Sequence, residues 1–433
     1  MKVDQTREAV TMKVAQKRRW KILVVAGATM ALVAGMASTL PSAYAGGTIK
    51  ADDDHWINLG MGMRSSFSAV EDAAPSGTDY AKKFNVDNAR IYINGQVHKY
   101  LKFTFNTECF NCSVGGGGSG FASNENIGLI DAIGKIEYNQ YVNFWFGRTL
   151  VPTERGELNG PFYHPTYDGF RTPFFPADSN NGNNAGAFGR DNGVVYFGRV
   201  DPGFGHLQYV GSVFTGLLGS PNQEANLTYA GRITYNLLGD EFSHENPGYY
   251  TAGTYYGGYG DLLAIAVGGQ HQKNGSGSLA NPHDFDGIVT DLLFEKLLGD
   301  DKGSAGVLTV NAEFKRMWAQ NLAALVDPAC FCQFDGNSAY GTVLYLMPNK
   351  IGWGQFQPYG RYTTISPTDS SYRSDWEFGT NYIISGFNAR VSAYYRYGDI
   401  ITKGFVGPGV GPYAPGVTGA EISSFHVAIQ MQY

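Results

Sequence analysis

Glu421 to Tyr433 reads EISSFHVAIQMQY, and from Phe425 on every second residue is apolar: Phe425, Val427, Ile429, Met431 and Tyr433. The residues between them, His426, Ala428, Gln430 and Gln432, are mostly polar. A period of two marks a β-strand with one greasy face and one wet face. In a soluble protein such a face packs on a core. Two features point elsewhere. The final residue is an aromatic at the end of the apolar face, where a membrane–water girdle holds aromatic rings. The other strand-like segments also set aliphatic and aromatic residues against charges, with no helices to cover the greasy side. The pattern predicts an all-β fold: a closed, antiparallel transmembrane barrel in which this strand returns to seal the first.

Working outward, sixteen segments have this character, roughly 55–67, 84–97, 99–108, 128–139, 141–150, 191–200, 205–216, 225–238, 261–273, 285–298, 305–318, 337–347, 353–366, 373–384, 387–398 and 422–433. Each is near or somewhat above the ~9–11 residues that a tilted strand needs to cross the hydrocarbon. In the clearest, Tyr372, Trp376, Phe378, Tyr382 and Ile384 point one way and Arg373, Asp375, Glu377 and Asn381 the other. The next repeats it, with Arg390, Ser392 and Arg396 opposite Val391, Ala393, Tyr395 and Tyr397. Connections alternate between tight turns and long loops rich in Gly or Pro, notably 68–83, 109–127, 151–190, 319–336 and 399–421. One connection breaks the rule: 239–260 is long, yet the count places it at the short-turn end.

The front of the chain is read as a leader. Lys13 to Lys21 is basic, Ile22 to Met36 is apolar, and Ala43-Tyr44-Ala45 has the small-x-small pattern of a cleavage site. The expected division is a secretory signal peptide over 1–45, with Met12 as an alternative start, and a barrel over 46–433. The composition suits a barrel: 58 Gly, 28 Tyr, 27 Phe and only 16% charged residues in 433. The formal charge of −6 falls further without the leader, which holds seven Lys/Arg and two Asp/Glu, so nucleic acid is not an expected partner. Cys109, Cys112, Cys330 and Cys332 belong to an exported chain, and disulfides are expected, with three connectivities open. No metal and no cofactor is expected.

Asn88 to Glu157 carries a family resemblance through NARIYINGQVHKYLKFTFN and IGLIDAIGKIEYNQYVNFWFGRTLVPTERGEL. The pattern is Ile130-Asp131-Ala132, then Gly147-Arg148, Pro152 and Glu154. It resembles the outer-membrane phosphate-selective porins of the porin O and P type. The final aromatic strand likewise resembles the signature by which bacterial outer-membrane proteins are recognised for insertion. The resemblance implies a long third loop folded into the lumen. It does not carry the phosphate label across, because no lysine-rich ladder is evident.

The loop 151–190 is the candidate constriction, with Arg148, Glu154, Arg155, Glu157, Asp168 and Arg171 as its charged residues. The bland alternative is a loop lying over the outer mouth; its aromatic and Pro content suits a packed loop better. Strand parity gives ten basic lining residues: Arg90, Lys102, Lys135, Arg148, Arg232, Lys315, Arg361, Arg373, Arg390 and Arg396. Eight acidic ones accompany them: Glu108, Asp131, Glu137, Asp291, Glu295, Glu313, Asp375 and Glu377. Many of these charges are expected simply to satisfy one another or to be wetted.

The expected function is physical and not enzymatic: passive diffusion of small hydrophilic solutes through an outer-membrane porin, with a mild anion preference set by the lumen field. Outer-membrane lipid is the expected surrounding, and a homotrimer is left open as the assembly. The rival is a barrel that sheathes a multihaem cytochrome as an electron conduit, which needs a wide, unobstructed lumen. A barrel hydrolase comes third, with no local motif behind it.

Overall fold

In the computed structural model the described residues are 47–110, 126–169, 172–173, 175, 189–218, 221–241, 246–248, 254–319, 335–368, 371–403 and 419–433. The expected signal peptide lies outside them, as do Arg171, Cys112, Cys330 and Cys332.

The expected strands are realised along the described chain. The first half comprises β1 (Gly47–Lys50), β2 (Trp56–Val70), β3 (Ala81–His98), β4 (Leu101–Phe110), β5 (Asn126–Glu137), β6 (Asn143–Leu150), β7 (Arg190–Val200), β8 (His206–Phe214) and β9 (Thr228–Leu238). The second half comprises β10 (Leu262–Ser278), β11 (Asn281–Leu297), β12 (Val307–Ala319), β13 (Gly336–Leu346), β14 (Gln355–Pro367), β15 (Arg373–Ser385), β16 (Ala389–Gly398) and β17 (Ile422–Gln432). Each of the sixteen from β2 to β17 pairs antiparallel with its chain neighbours.

The terminal strand seals the ring. β17 runs against β2 from Ser424 opposite Val70 to Gln432 opposite Gly62. Beyond it, Met61 and Tyr433 exchange backbone bonds of 2.9 and 2.8 Å. Where β17 stops, the four-residue β1 takes over, pairing Gly47 to Lys50 with Leu59 to Trp56. Closure leaves no open edge for the backbone to satisfy in hydrocarbon. Among the described residues no helix is long and apolar enough to cross a membrane.

The two faces of the sheet differ as the alternation demands. On β15, Trp376 and Phe378 are exposed while Arg373, Asp375 and Glu377 are buried. Their rings form a stack, 6.0 Å apart and 2° from parallel, and Tyr362 lies 4.5 Å from Trp376. Exposed aromatics recur around the outside, among them Tyr138, Tyr141, Phe146, Tyr229, Trp318, Trp353, Tyr395 and Tyr433. In water this surface would be a large apolar patch; in a bilayer it is the lipid face.

The expected and observed strands differ most at β10 and β11. These run 17 residues each and form a hairpin that continues past the expected boundaries at 273 and 285. Asn274 sits at φ +54 in a register shift, held by its backbone N–H donating to Asp284 and by Ser276 Oγ donating to the Asp284 carbonyl. Side-chain bonds to the backbone bridge a point where the alternation itself is broken.

Candidate functional site

The loop after β6 is pinned at its neck, where Val151 N–H donates to the Gly189 carbonyl at 2.9 Å. It then turns inward. Arg155–Asn159 forms a short helix, α1, that ends at Gly160 with φ 57, a left-handed conformation suited to glycine. Every residue of α1 is buried. Close approach to the wall requires two further glycines. A Cβ at Gly268 of β10 would collide with the Thr153 carbonyl, and one at Gly287 of β11 would collide with the Phe175 ring.

Side chains from eight strands along the arc from β9 round to β2 then hold the loop. From β9, Arg232 donates to the Thr153 carbonyl at 3.0 Å, and from β10 Gln270 donates to Thr153 Oγ1 at 2.8 Å. From β12, Lys315 pairs with Glu154 and donates to the Pro173 carbonyl at 2.6 Å. From β14, Arg361 donates to Thr166 Oγ1 at 2.8 Å and to the Asp168 carbonyl at 2.6 Å. From β15, Asn381 donates to the Pro165 carbonyl at 2.8 Å. From β16, Arg390 donates to the His164 carbonyl at 2.7 Å, and Arg396 pairs with Asp168 at 2.6 Å. From β17, Gln430 donates to the Phe162 carbonyl at 2.9 Å; from β2, Arg64 donates to the Tyr167 carbonyl, its guanidinium 4.0 Å from the Tyr167 ring centre. A segment bonded to β9, β10, β12, β14, β15, β16, β17 and β2 lies inside the ring they form.

The basic residues thus have a structural task. Arg64, Arg361 and Arg390 point their guanidiniums at main-chain carbonyls of 164–168, which a buried loop must satisfy. Carbonyls are abundant acceptors, and the rigid fork of Arg reaches two at once. Burial and the neighbouring Arg64, Arg390 and Arg361 hold the His164 ring down to about 3, so it is neutral at any ordinary pH.

The remaining lining residues pair with neighbours on the adjacent strand or, for Asp131 with Arg190 and Arg232 with Asp291, on the strand beyond it. Arg90 meets Glu108 at 2.5 Å, Lys102 meets Glu137 at 2.7 Å, and Asp131 meets Arg190 at 2.9 Å. Arg232 binds Asp291 at 2.6 Å; Glu377 takes Arg361 at 2.7 Å and Arg396 at 2.8 Å. Asp375 lies 3.9 Å from Arg396, and Arg373 donates to the Ser371 carbonyl at 3.3 Å. Lys135 lies 4.1 Å from the Trp145 ring centre. Arg148 is half-buried beside Gly147, opposite Ala132 and Asn192. Cys109 is disulfide-bonded.

On the β11–β12 side, three carboxylates share one ammonium. Glu154 and Glu313 both pair with Lys315, and Glu157 accepts the Phe175 N–H at 2.9 Å. Burial, set against the pull of Lys315, pushes Glu154 up to about 8 and Glu157 up to about 7. The cause is plain: taking a carboxylate out of water disfavours its charge, and one lysine cannot neutralise three.

Two parts of this interior were missed in the sequence. Arg64 was overlooked although it lies between Gly62 and Ser66, on the parity that points inward. The connection 239–261 was noticed only for its length. It too enters the barrel: Arg155 donates to Glu241 at 2.5 and 2.7 Å, and Asn159 donates to the Tyr255 hydroxyl at 3.2 Å. Its excess length at the short-turn end was the available signal.

One cavity lies to one side. It measures about 500 Å³ and sits against the short-turn halves of β2 to β6, with Lys102, Lys135, Glu137 and Trp145 on the wall and Tyr163 and Asn246 on the inner side.

A closed sixteen-stranded barrel, greasy outside and crossed inside by the loop after its fifth strand, is a porin-like transmembrane barrel. No family model matches the chain, and no curated protein matches it. Solved structures do. The chain is similar to an anion-selective porin from Comamonas acidovorans, at 14% identity and TM-score 0.51, over 87% of this chain and 99% of that one. It is also similar to OmpT of Vibrio cholerae in its trimer form, at 14% identity and TM-score 0.50, over 88% of this chain and all of that one. At these identities the likeness is one of fold.

Proposed function

We propose that the chain is an outer-membrane porin for passive diffusion of small hydrophilic solutes, its short-turn end facing the periplasm. One observation carries the reading: a loop held by eight strands lies across the lumen of a membrane barrel and narrows it, beside a cavity on the β2–β6 wall. Nothing in such a site needs bond chemistry; selection is by size and by fixed charge. The same filled lumen weighs against a sheath for a cytochrome, which would need that space.

The finer reading is a mild anion preference within a channel resembling the phosphate-selective porins. The loop carboxylates Glu154 and Glu157 are gathered against Lys315, away from the cavity. The cavity itself carries Lys102 and Lys135 against Glu137. Permeating ions feel this local field and not the whole-chain charge. The proposed assembly is a homotrimer.

Reconstitution into planar bilayers tests the proposal. Discrete current steps with a reversal potential on the anion side support it. Very large, unselective currents would favour the sheath, and silence from correctly folded protein would end the channel reading.

A further inference from the structure

We infer that the described residues of the connection between β9 and β10, 239–241, 246–248 and 254–261, form a second obstruction that closes the β8–β15 half of the lumen. Solutes then cross off-axis, along the β2–β6 wall. The inference rests on the porin reading and adds the route that solutes take within it.

Short-turn ends of barrels need only a few residues, and 239–261 has far more. Its described residues are built into the interior. Glu241, Thr254 and Tyr255 are buried. The strands hold it at four places. Gln208 of β8 donates to the Asn246 carbonyl at 2.6 Å, and Gln357 of β14 donates to the Tyr255 carbonyl at 2.8 Å. Gly257 N–H donates to Glu295 of β11 at 3.3 Å, while Tyr255 and Tyr256 pack edge-on against Phe387 in the β15–β16 turn, at 6.0 and 4.9 Å. Tyr255 also joins Leu262, Ala264 and Leu293 in an apolar cluster. On its upper side the connection docks on α1 through Arg155–Glu241 and Asn159–Tyr255.

The consequence is an asymmetric lumen. Inward-facing Asn236 of β9, Thr309 of β12 and Gln357 of β14 are each 0% exposed. On the other wall Asn58, Asn94, Lys102 and Lys135 keep contact with solvent in the cavity, whose inner boundary is Tyr163 of the loop and Asn246 of the connection. The two inserted segments therefore share the task of narrowing. Lys102, Lys135 and Glu137 become the charges a solute passes, and the buried network on the far side becomes support.

Cysteine accessibility in bilayers tests this on the full chain. Asn94→Cys and Thr309→Cys are compared, each treated with a negatively charged methanethiosulfonate during recording. The expected result is a fall in current of at least about twofold at Asn94→Cys and no change at Thr309→Cys. Modification of Thr309→Cys with loss of current would overturn the inference, as would an unaffected Asn94→Cys. In a second variant, Glu241→Gln, which keeps the shape but removes the ion pair, conductance should rise and Thr309→Cys should become reactive. Unchanged conductance with Thr309→Cys still protected would remove the docking role of Glu241. A parent protein that conducts nothing would fail the porin reading, a result distinct from all of these.

Discussion

Arg155 of the inserted loop grips Glu241 of the opposite connection with two nitrogens, at 2.5 and 2.7 Å, and both side chains are buried. One residue arrives from each end of the barrel, so the pair joins two segments that no strand ladder connects. Arg155 has a second carboxylate, Asp291 at 3.2 Å, whereas among the described residues Glu241 has no other ion-pair partner. Arg155→Ala should therefore cost more than Glu241→Ala. Removing one partner of a buried pair typically costs about 3–5 kcal/mol, because the survivor is left charged and dry. The double variant should recover part of that loss, as read from denaturant unfolding in lipid. Additive losses would mean that the two residues do not act as a pair.

The loop carboxylates predict a pH dependence of stability. Glu154 and Glu157 are held up to about 8 and about 7 by burial, from an ordinary value of 4.5. A carboxylate whose folded value is raised contributes fully below its unfolded value and loses that contribution as pH rises to its folded one. The folded loop should thus loosen progressively between about pH 4.5 and about pH 8 and change little above, which urea midpoints across pH can measure. The Glu154→Gln, Glu157→Gln double variant should flatten the curve.

Gly268 tests the seat of the loop. A side chain there would strike the Thr153 carbonyl, at the point where Arg232 and Gln270 also hold Thr153. Gly268→Val should displace the neck of the loop, enlarge single-channel conductance and raise the size limit for neutral polymers. A folded Gly268→Val barrel with native conductance would show that the loop is held without this contact.

Phe378 tests the outer face. It is 56% exposed in the middle of β15, stacked beside Trp376. Arginine at a lipid-facing midplane site costs about 2–4 kcal/mol, so Phe378→Arg should lower folding yield in vesicles while Phe378→Tyr should not. Equal yields would contradict the assignment of faces.

The barrel was largely legible in the sequence because period two is a local signal that each strand carries by itself. Arg373, Asp375 and Glu377 against Trp376 and Phe378 declare their faces without reference to any other strand. The partners of those charges were not legible. Arg390 donates to a carbonyl 226 residues away, and no spacing rule encodes that distance. Parity told which side of the sheet a residue takes, but not whether water or a packed loop waits there. β1 escaped notice for a different reason: four residues offer too short a run to show alternation. The connection 239–261 was conspicuous in length, yet its aromatic and acidic residues read equally well as a surface loop. Their inward course depends on meeting Arg155 and Asn159, which come from a segment some 80 to 100 residues earlier in the chain.

The most direct measurement is the single-channel current of the purified protein in a planar bilayer under a salt gradient. Two segments narrowing the lumen to an off-axis path beside Lys102 and Lys135 should give small, discrete steps and a reversal potential displaced slightly to the anion side. Large, unselective steps would mean that the lumen is not narrowed as described. A clear displacement to the cation side would mean that the carboxylates of the loop, and not the lysines of the wall, face the solute.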